Sequence, residues 1–182
     1  LDAKKVILIY DIQLHKISKI AKWVSQFENA CAVNAGENLK SLESLSKTLP
    51  IFLNLMKGVS RRDVVIVALG GGSVGDFSGF VASILKRGVR LVHVPTTWLA
   101  AADSAHGGKT ALNVGETKNQ IGTFYAAERV VIARDILNYQ GPEHLPSAFG
   151  EILKMALIAD ATRAKKFSKS KQLFFFEKIY YV

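Results

Sequence analysis

A glycine-rich run between a strand pattern and a helix pattern constrains this chain more than any other feature. Residues 64–69 (Val-Val-Ile-Val-Ala-Leu) form an unbroken apolar run, which predicts a fully buried strand. The glycine-rich residues 70–76 follow, and residues 77–86, small and apolar without proline, predict a helix. Glycines at such a junction let the backbone approach a phosphate, whose charge the helix N-terminus stabilises. The junction therefore predicts a phosphate-binding loop, with a tight structural turn as the alternative.

The same run satisfies the dinucleotide-binding pattern G-x-G-x-x-G at Gly70, Gly72 and Gly75. An ordinary dinucleotide fold also places an acidic residue about 20 residues further on. Residues 90–97 offer none. The loop thus matches the phosphate-binding half of the pattern but lacks its downstream carboxylate.

Strand and helix patterns alternate along the first part of the chain. Such alternation predicts a Rossmann-like α/β domain with a parallel sheet covered on both faces. Pro50 should end or kink the helix that contains it. The predicted strands are residues 6–10, 30–33, 64–69 and 89–94, and helical patterns occupy residues 14–27, the leucines 39, 42 and 45, and residues 77–86.

The pattern changes near Gly141, after which residues 145–160 form one long helical pattern with no strand behind it. We therefore expect an α/β domain over residues 1–140 and the beginning of an all-α domain over residues 141–182. We also expect the natural chain to continue beyond Val182.

Charge and composition exclude several classes of function. The formal net charge is +9, and residues 163–182 carry five of these charges because they hold six basic residues and one acidic residue. The body is only mildly cationic, which suits anionic small molecules better than nucleic acid. No apolar run approaches the roughly 18 residues of a membrane span, and the single cysteine, Cys31, rules out an intrachain disulfide framework. We expect a cytoplasmic protein without nucleic-acid or membrane partners.

Further motifs follow the glycine run in a fixed order. They are Pro95-Thr96-Thr97, Ala102-Asp103-Ser104, Gly107-Gly108-Lys109-Thr110, Lys118-Asn119-Gln120-Ile121-Gly122 and Gly150-Glu151-Ile152-Leu153-Lys154. In order and spacing the chain resembles the 3-dehydroquinate synthases and, more broadly, the sugar phosphate cyclases, over about residues 6–160. Iron- or zinc-dependent polyol dehydrogenases share the broad architecture, but the two lysine motifs favour the cyclases.

The resemblance implies that residues 1–140 bind NAD. Without it, Glu37 and Lys40 would be interpreted as a surface ion pair, Asp76 as a helix-dipole partner, and the two threonines as strand-end turn residues. The implied cofactor residues are Asp11, Glu37, Lys40, Gly71, Gly72, Asp76, Thr96 and Thr97.

The resemblance also implies a site for a phosphorylated small-molecule substrate. Carboxylate and amide groups would accept hydrogen bonds from its hydroxyls, and cations would bind its carboxylate and phosphate. Isolated lysines are otherwise solvated surface charges. Arg87 would reach the substrate phosphate from a neighbouring subunit, which implies a homodimer. The implied catalytic residues are Asp103, Lys109, Lys118, Asn119, Lys154 and Arg87.

For the metal, zinc or cobalt, the resemblance supplies only Glu151 within this sequence. Catalytic zinc needs three protein ligands and an open position. The other two would be histidines of the helical domain beyond Val182. His93 should be packed inside its strand, while His15 and His144 are expected at the surface or in turns.

The implied reaction converts 3-deoxy-arabino-heptulosonate 7-phosphate to 3-dehydroquinate in the shikimate pathway, with loss of phosphate. Two departures from the family pattern, Ala105-His106 and residues 124–127 (Phe-Tyr-Ala-Ala), leave room for a related cyclase with a different product. A further alternative is a shortened, non-catalytic module that only binds NAD.

Overall fold

The computed structural model describes residues 2–159, which form an α/β fold around a parallel sheet. Five strands form this sheet in the order β2-β1-β3-β4-β7, and β5 and β6 form a separate antiparallel hairpin. The strands are β1 (Lys5–Asp11), β2 (Ala30–Val33), β3 (Val64–Gly70), β4 (Arg90–Pro95), β5 (Lys109–Val114), β6 (Thr117–Phe124) and β7 (Arg129–Val130). The helices are α1 (Ser18–Val24), α2 (Leu42–Leu55), α3 (Gly72–Ile84), α4 (Trp98–Ala102), α5 (Ser104–Gly107), α6 (Arg134–Leu137) and α7 (Leu145–Ala159).

The predicted parallel sheet is confirmed. Every residue of β3 is buried, because the strand lies in the middle of the sheet with both faces covered. Leu69 pairs with Tyr10 of β1, and Gly70 pairs with Pro95 of β4, so these three strands end at the same edge. The apolar runs of the sequence therefore place the strands correctly to within a residue or two.

Helix α3 begins at Gly72, five residues before the predicted start at Phe77. Asp76 consequently lies in the second turn of the helix and not at its start, so the alternative interpretation of Asp76 as a helix-dipole partner is wrong. The helix extends into the glycine run because Val74 is fully buried in the same apolar cluster as Phe77. A Cβ on Gly79 would lie 2.4 Å from Cγ2 of Thr110, so the absence of a side chain lets the helix approach the hairpin.

Helix α2 passes through Pro50, so of the two predicted effects of this proline, an end of the helix is wrong and a kink stays a prediction. Leu45 and Phe52 are buried on either side of the proline, and their packing maintains the helix across the missing N–H. Leu39 belongs to a preceding short 3-10 helix, so the three leucines span two elements.

Two apolar clusters cover the two faces of the sheet. One contains Phe52 of α2 and Phe77 of α3 against Ile7 and Ile66. The other contains Ile20 of α1 with residues of β1, β3 and β4. The sheet is thus held on both faces, and its carboxyl edge is left for ligands.

The hairpin and the last described helix complete the carboxyl edge. The hairpin strands β5 and β6 and the short strand β7 were not predicted from the sequence. Helix α7 confirms the long helical pattern as far as Ala159, and its Ala148 packs with Trp98 of α4 and Leu137 of α6. The domain boundary near Gly141 stays a prediction. The basic tail, residues 163–182, lies outside the described residues. No helix within residues 2–159 is long and apolar enough to cross a membrane.

Candidate active site

The strand order creates a switch point between β1 and β3. From β1 the chain crosses to β2 on one side, and the later strands β3 and β4 lie on the other side. In open α/β sheets, ligands bind outside the carboxyl ends of the strands at such a point. Asp11 ends β1 and Gly70 ends the neighbouring β3. The switch point therefore brings the Asp11 carboxyl group and the glycine run to one crevice.

Asp11 is half-buried, and its carboxylate accepts a hydrogen bond of 3.0 Å from the Gln13 N–H. This bond caps the short 3-10 helix Ile12–Lys16 and fixes the direction of the side chain. The second carboxylate oxygen can still accept hydrogen bonds from a ligand hydroxyl.

The glycine run packs tightly against the loop that follows β4. A Cβ on Gly71 would lie 3.0 Å from Cγ2 of Thr97, so glycine allows this approach. Thr97 caps α4, because its Oγ1 accepts a 3.2 Å hydrogen bond from the Ala100 N–H. Thr96 is buried beside it. The Thr97 hydroxyl thus has the capping role of a turn residue, with one lone pair left to accept a ligand donor.

The segment after β2 is tied to the same helix start. The Gly36 N–H donates a 2.9 Å hydrogen bond to Oγ of Ser73, in the first turn of α3. Gly36 has φ +123°, a conformation that favours glycine, and directly precedes the short helix Glu37–Leu39. The backbone therefore fixes Glu37 near the glycine run without help from its side chain.

Lys40 is a buried cation at the centre of the site. Its Nζ lies 2.7 Å from Oδ2 of Asp76 and donates a 2.6 Å hydrogen bond to Oδ1 of Asn119. Lys40 therefore pairs with Asp76 and not, as the surface-pair interpretation would have it, with Glu37. Burial raises the pKa of Asp76, although the hydrogen bond from Lys40 opposes this shift. Lys40 thereby connects Asp76, which was predicted to bind the cofactor, with Asn119, which was predicted to bind the substrate.

Glu37 is exposed but held from two sides. Asn113 donates a 2.9 Å hydrogen bond from Nδ2 to Oε2 of Glu37, and Nζ of Lys118 lies 3.9 Å from the same oxygen. The hydrogen bond from Asn113 is the main cause that lowers the pKa of Glu37, and Lys40 and Lys118 contribute smaller effects. Glu37 is thus an ionised acceptor near neutral pH.

A cleft of about 590 Å³ lies between the hairpin, α5 and α7. This volume is typical of small-molecule sites. Five of the seven residues predicted to be catalytic or metal-binding line it. The lining includes Asp103, Lys109, Asn119, Glu151 and Lys154, together with Asp76 from the cofactor side.

Glu151 and Lys154 form an ion pair on one face of α7. The hydrogen bond to Glu151 raises the pKa of Lys154, and the charge of Asp103 adds to this effect. Lys154 therefore remains a cation in the cleft. Within residues 2–159, no group of three or more histidine, cysteine, aspartate or glutamate side chains could hold a metal ion.

The structure does not bring Lys118 or Arg87 into this cleft. Lys118 lines a neighbouring cavity of about 530 Å³ with Glu37 and Asn113. Arg87 is exposed, and it follows Lys86 in a turn where both residues have positive φ. Nζ of Lys86 donates to the Met56 carbonyl at 2.9 Å and so anchors this turn. The turn presents Arg87 at the surface, as a contribution to another subunit would require.

The histidines lie where the sequence indicates. His93 is buried in β4, and burial lowers its pKa to about 4. His15 is exposed and lies 2.9 Å from the Tyr10 hydroxyl, and His144 is exposed near the start of α7. Nε2 of His106 lies 3.1 Å from the Ala101 carbonyl, at the edge of the cleft region.

Sequence reasoning missed two residues of the hairpin. Thr110 is buried, and its hydroxyl bonds to the Thr123 carbonyl at 3.0 Å, which ties β5 to β6. Asn113 contacts both Glu37 and Asn119. The period of two in Thr110, Leu112 and Val114 could have indicated the strand, but the contact of Asn113 with Glu37 joins residues remote in sequence.

The comparisons with known proteins agree with this geometry. The family model described as the N-terminal part of 3-dehydroquinate synthase matches residues 30–147. The chain belongs to the 3-dehydroquinate synthase family. One curated relative, a 3-dehydroquinate synthase from Alkaliphilus oremlandii, is 44% identical over 128 residues, which cover 70% of this chain and 34% of the relative. The chain therefore spans about a third of that relative's length.

Two solved structures of sugar phosphate cyclases share the Rossmann-like fold. A valiolone synthase from Streptomyces hygroscopicus, solved with NAD⁺ and Zn²⁺, has a TM-score of 0.73 and 28% identity, over 85% of this chain and 43% of the other. A 2-deoxy-scyllo-inosose synthase, solved with carbaglucose-6-phosphate, NAD⁺ and Co²⁺, has a TM-score of 0.69 and 29% identity, over 81% of this chain and 40% of the other. The predicted family and fold class are thus confirmed.

Proposed function

We propose that this chain is the NAD-binding part of a 3-dehydroquinate synthase, which converts 3-deoxy-arabino-heptulosonate 7-phosphate to 3-dehydroquinate with loss of phosphate. The observation that carries the proposal is the cleft in which Asp103, Lys109, Asn119 and Lys154 meet beside Asp76. Its cations suit a phosphate and a carboxylate, and its carboxylates and amide suit the hydroxyls of a sugar.

The described residues fit a dinucleotide. Gly71 lies at the start of α3 where a Cβ would contact Thr97. The carboxylates nearby are Asp11, at the end of β1, and Glu37, which follows the Gly36 that bonds to Ser73 of α3. The first turn of α3 contains no acidic residue, so its N–H groups face the crevice without a competing carboxylate. The upstream carboxylates would accept the ribose hydroxyls, which compensates for the missing downstream one. NAD and a divalent metal, zinc or cobalt, are also the groups held by the similar solved cyclases.

The residues of the cleft would then orient the substrate and complement its charges. When bound, NAD⁺ would accept a hydride from one ring carbon and later return it. Lys109, at the start of β5, would bind an anionic group of the substrate. Asp103 would accept a hydrogen bond from a substrate hydroxyl. Lys154 would remain protonated beside Glu151, so it can donate to a phosphate or carboxylate oxygen.

The described residues alone do not fit a catalytic zinc. Glu151 is the ligand that the family pattern supplies, and Asp103 and Asp76 also line the cleft. Three ligands are needed, but no three such side chains within residues 2–159 are grouped closely enough to hold a metal ion. We infer that the remaining ligands are histidines beyond Val182, and that the 182 residues alone neither hold zinc tightly nor catalyse cyclisation.

We also propose a homodimer in which Arg87 reaches the neighbouring subunit's site. We further propose that the protein is cytoplasmic and acts in the shikimate pathway. The exposed turn at Arg87 supports the first of these. Mixing full-length Arg87→Ala subunits with full-length Lys109→Ala subunits tests it. Partial recovery of activity in the mixture supports a shared site, and additive loss contradicts it.

A phosphate-release assay on 3-deoxy-arabino-heptulosonate 7-phosphate tests the reaction directly. We expect the full-length protein to release phosphate with NAD⁺ and a divalent metal, and the 182-residue chain to release none. One equivalent of zinc and normal turnover in the short chain would contradict the assignment of Glu151. NAD⁺ binding with no cyclisation at any length would favour the non-catalytic NAD-binding module.

A different sugar phosphate cyclase is the second candidate. It is favoured by Ala105-His106 at the cleft edge and by the likeness to two cyclases that make other cyclitols. Product analysis with heptulosonate and heptulose phosphates separates the candidates, since a 3-dehydroquinate synthase should cyclise only the former.

A further inference from the structure

Asn113, in β5, connects the cofactor side of the site with its substrate side. Its backbone N–H donates a 2.7 Å hydrogen bond to the Lys40 carbonyl. Its Nδ2 donates to Oε2 of Glu37 at 2.9 Å, and its Oδ1 accepts from the Asn119 N–H at 2.9 Å. One half-buried side chain thus uses both ends of its amide, and the partners fix which end is which.

The partners of Asn113 need such support. Glu37 is exposed, and an exposed carboxylate without a fixed donor samples many rotamers. Asn119 has φ +56°, a left-handed conformation that is uncommon outside glycine and that local hydrogen bonds help asparagine to hold. The Asn119 N–H bond to Asn113 and the Lys40 bond to Oδ1 of Asn119 provide them.

We propose that Asn113 is a positioning residue that holds Glu37 toward the cofactor and Asn119 toward the substrate. The inference rests on the proposed NAD-binding function. It predicts two separable effects, because each end of the amide serves a different partner.

Asn113→Asp separates the two effects. The aspartate keeps an oxygen to accept from the Asn119 N–H but loses the donor to Glu37. The repulsion between two facing carboxylates should raise the pKa of Glu37. The charges of Lys40 and Lys118 oppose this shift. The other acidic groups around Glu37 are Asp76, Glu43 and Glu116. Asn113→Ala loses both contacts.

The first measurement is calorimetric titration of NAD⁺ from pH 5 to 8. We expect Asn113→Asp to weaken NAD⁺ binding by about ten-fold at pH 8, with a loss that shrinks as the pH falls toward the raised pKa of Glu37, because a proton shared by the two carboxylates restores a donor between them. Adding Glu37→Gln to Asn113→Asp restores a donor between the two side chains and should remove the pH dependence. Asn138→Asp makes the same charge change at the end of α6, lines neither cavity, and should bind NAD⁺ as wild type does.

The second measurement is amide hydrogen exchange at Asn119. We expect faster exchange in Asn113→Ala and unchanged protection in Asn113→Asp, which a general loss of stability would not produce. If wild type binds NAD⁺ and Asn113→Asp binds it equally with the same pH profile, the positioning role is wrong. If wild type itself binds no NAD⁺, the proposed function fails and the inference fails with it.

Discussion

Strand β3 and strand β6 are held in place by different forces. All seven residues of β3 are buried, whereas only Thr123 of β6 is even half-buried. β3 is fixed by apolar burial between two helical layers. The hairpin is anchored to the apolar cluster by Leu112 of β5, and its outer strand β6 is tied to β5 by polar contacts, among them Thr110 with Thr123 and Asn113 with Asn119. The sheet is therefore specified by hydrophobicity, and β6 by hydrogen bonds.

This difference predicts the largest effect in the apolar region. Phe77 of α3 is fully buried against the sheet, and Phe77→Ala should lower the free energy of unfolding by about 3–5 kcal/mol. Ile121→Ala in β6 is the matched apolar truncation, at a residue that is 37% exposed, and should cost less than about 1 kcal/mol. Urea denaturation of both variants measures the contrast. Equal losses would mean that the hairpin is as dependent on burial as the sheet is.

Acidification should also act on the sheet. The pKa of His93 is lowered to about 4 from 6.5, mainly by burial, with His106 adding to the shift. Between these values the unfolded chain binds a proton that the folded chain does not, so stability falls as the pH falls from 6.5 to 4. The full loss corresponds to about 3 kcal/mol.

His93→Gln removes the titrating group and should flatten this part of the stability curve. The test is urea denaturation at pH values from 4 to 7. An unchanged slope in His93→Gln would assign the acid sensitivity to groups outside the sheet.

Lys40 joins the two regions, and its loss should have an intermediate effect. Lys40→Met leaves the Asp76 carboxylate without its cation, which should cost about 1–3 kcal/mol at pH 7. The side chain of Asp76 is 23% exposed, so water offsets part of the penalty. The double variant Lys40→Met with Asp76→Asn should recover most of the stability. A single variant as stable as wild type would show that the pair is not a structural link.

The two lysines of the hairpin, Lys109 and Lys118, should differ in how much they contribute to substrate binding by the proposed full-length enzyme. Lys109→Ala removes a cation that lines the cleft. It should weaken substrate binding by about ten- to hundred-fold and leave the affinity for NAD⁺ unchanged. Lys118 is more than half exposed beside Glu37, so Lys118→Ala should weaken substrate less. Steady-state kinetics on the full-length protein, with calorimetry for NAD⁺, decides this. Equal losses would indicate that the hairpin moves to bring both lysines to the substrate.

The contrast between the strands also explains what the sequence could predict. β3 and the glycine run were predictable, because burial and glycine leave local patterns in the sequence. The start of α3 at Gly72 was not, because it depends on the burial of Val74 against residues of other elements. The partners of Lys40 and the contact of Asn113 with Glu37 were likewise out of reach, since these contacts join residues more than 35 positions apart.

The most direct test of the site is a titration of NAD⁺ into the ¹⁵N-labelled chain, followed by amide shifts. The crevice between β1 and β3 should respond, with the largest shifts at Asp11, Glu37, Gly71 and Gly72. The amides of β7, at the far edge of the sheet, should not move. Asp76→Ala should lower the affinity in the same titration. Saturable shifts confined to another surface, or equal affinity in Asp76→Ala, would contradict the placement of the cofactor at the switch point.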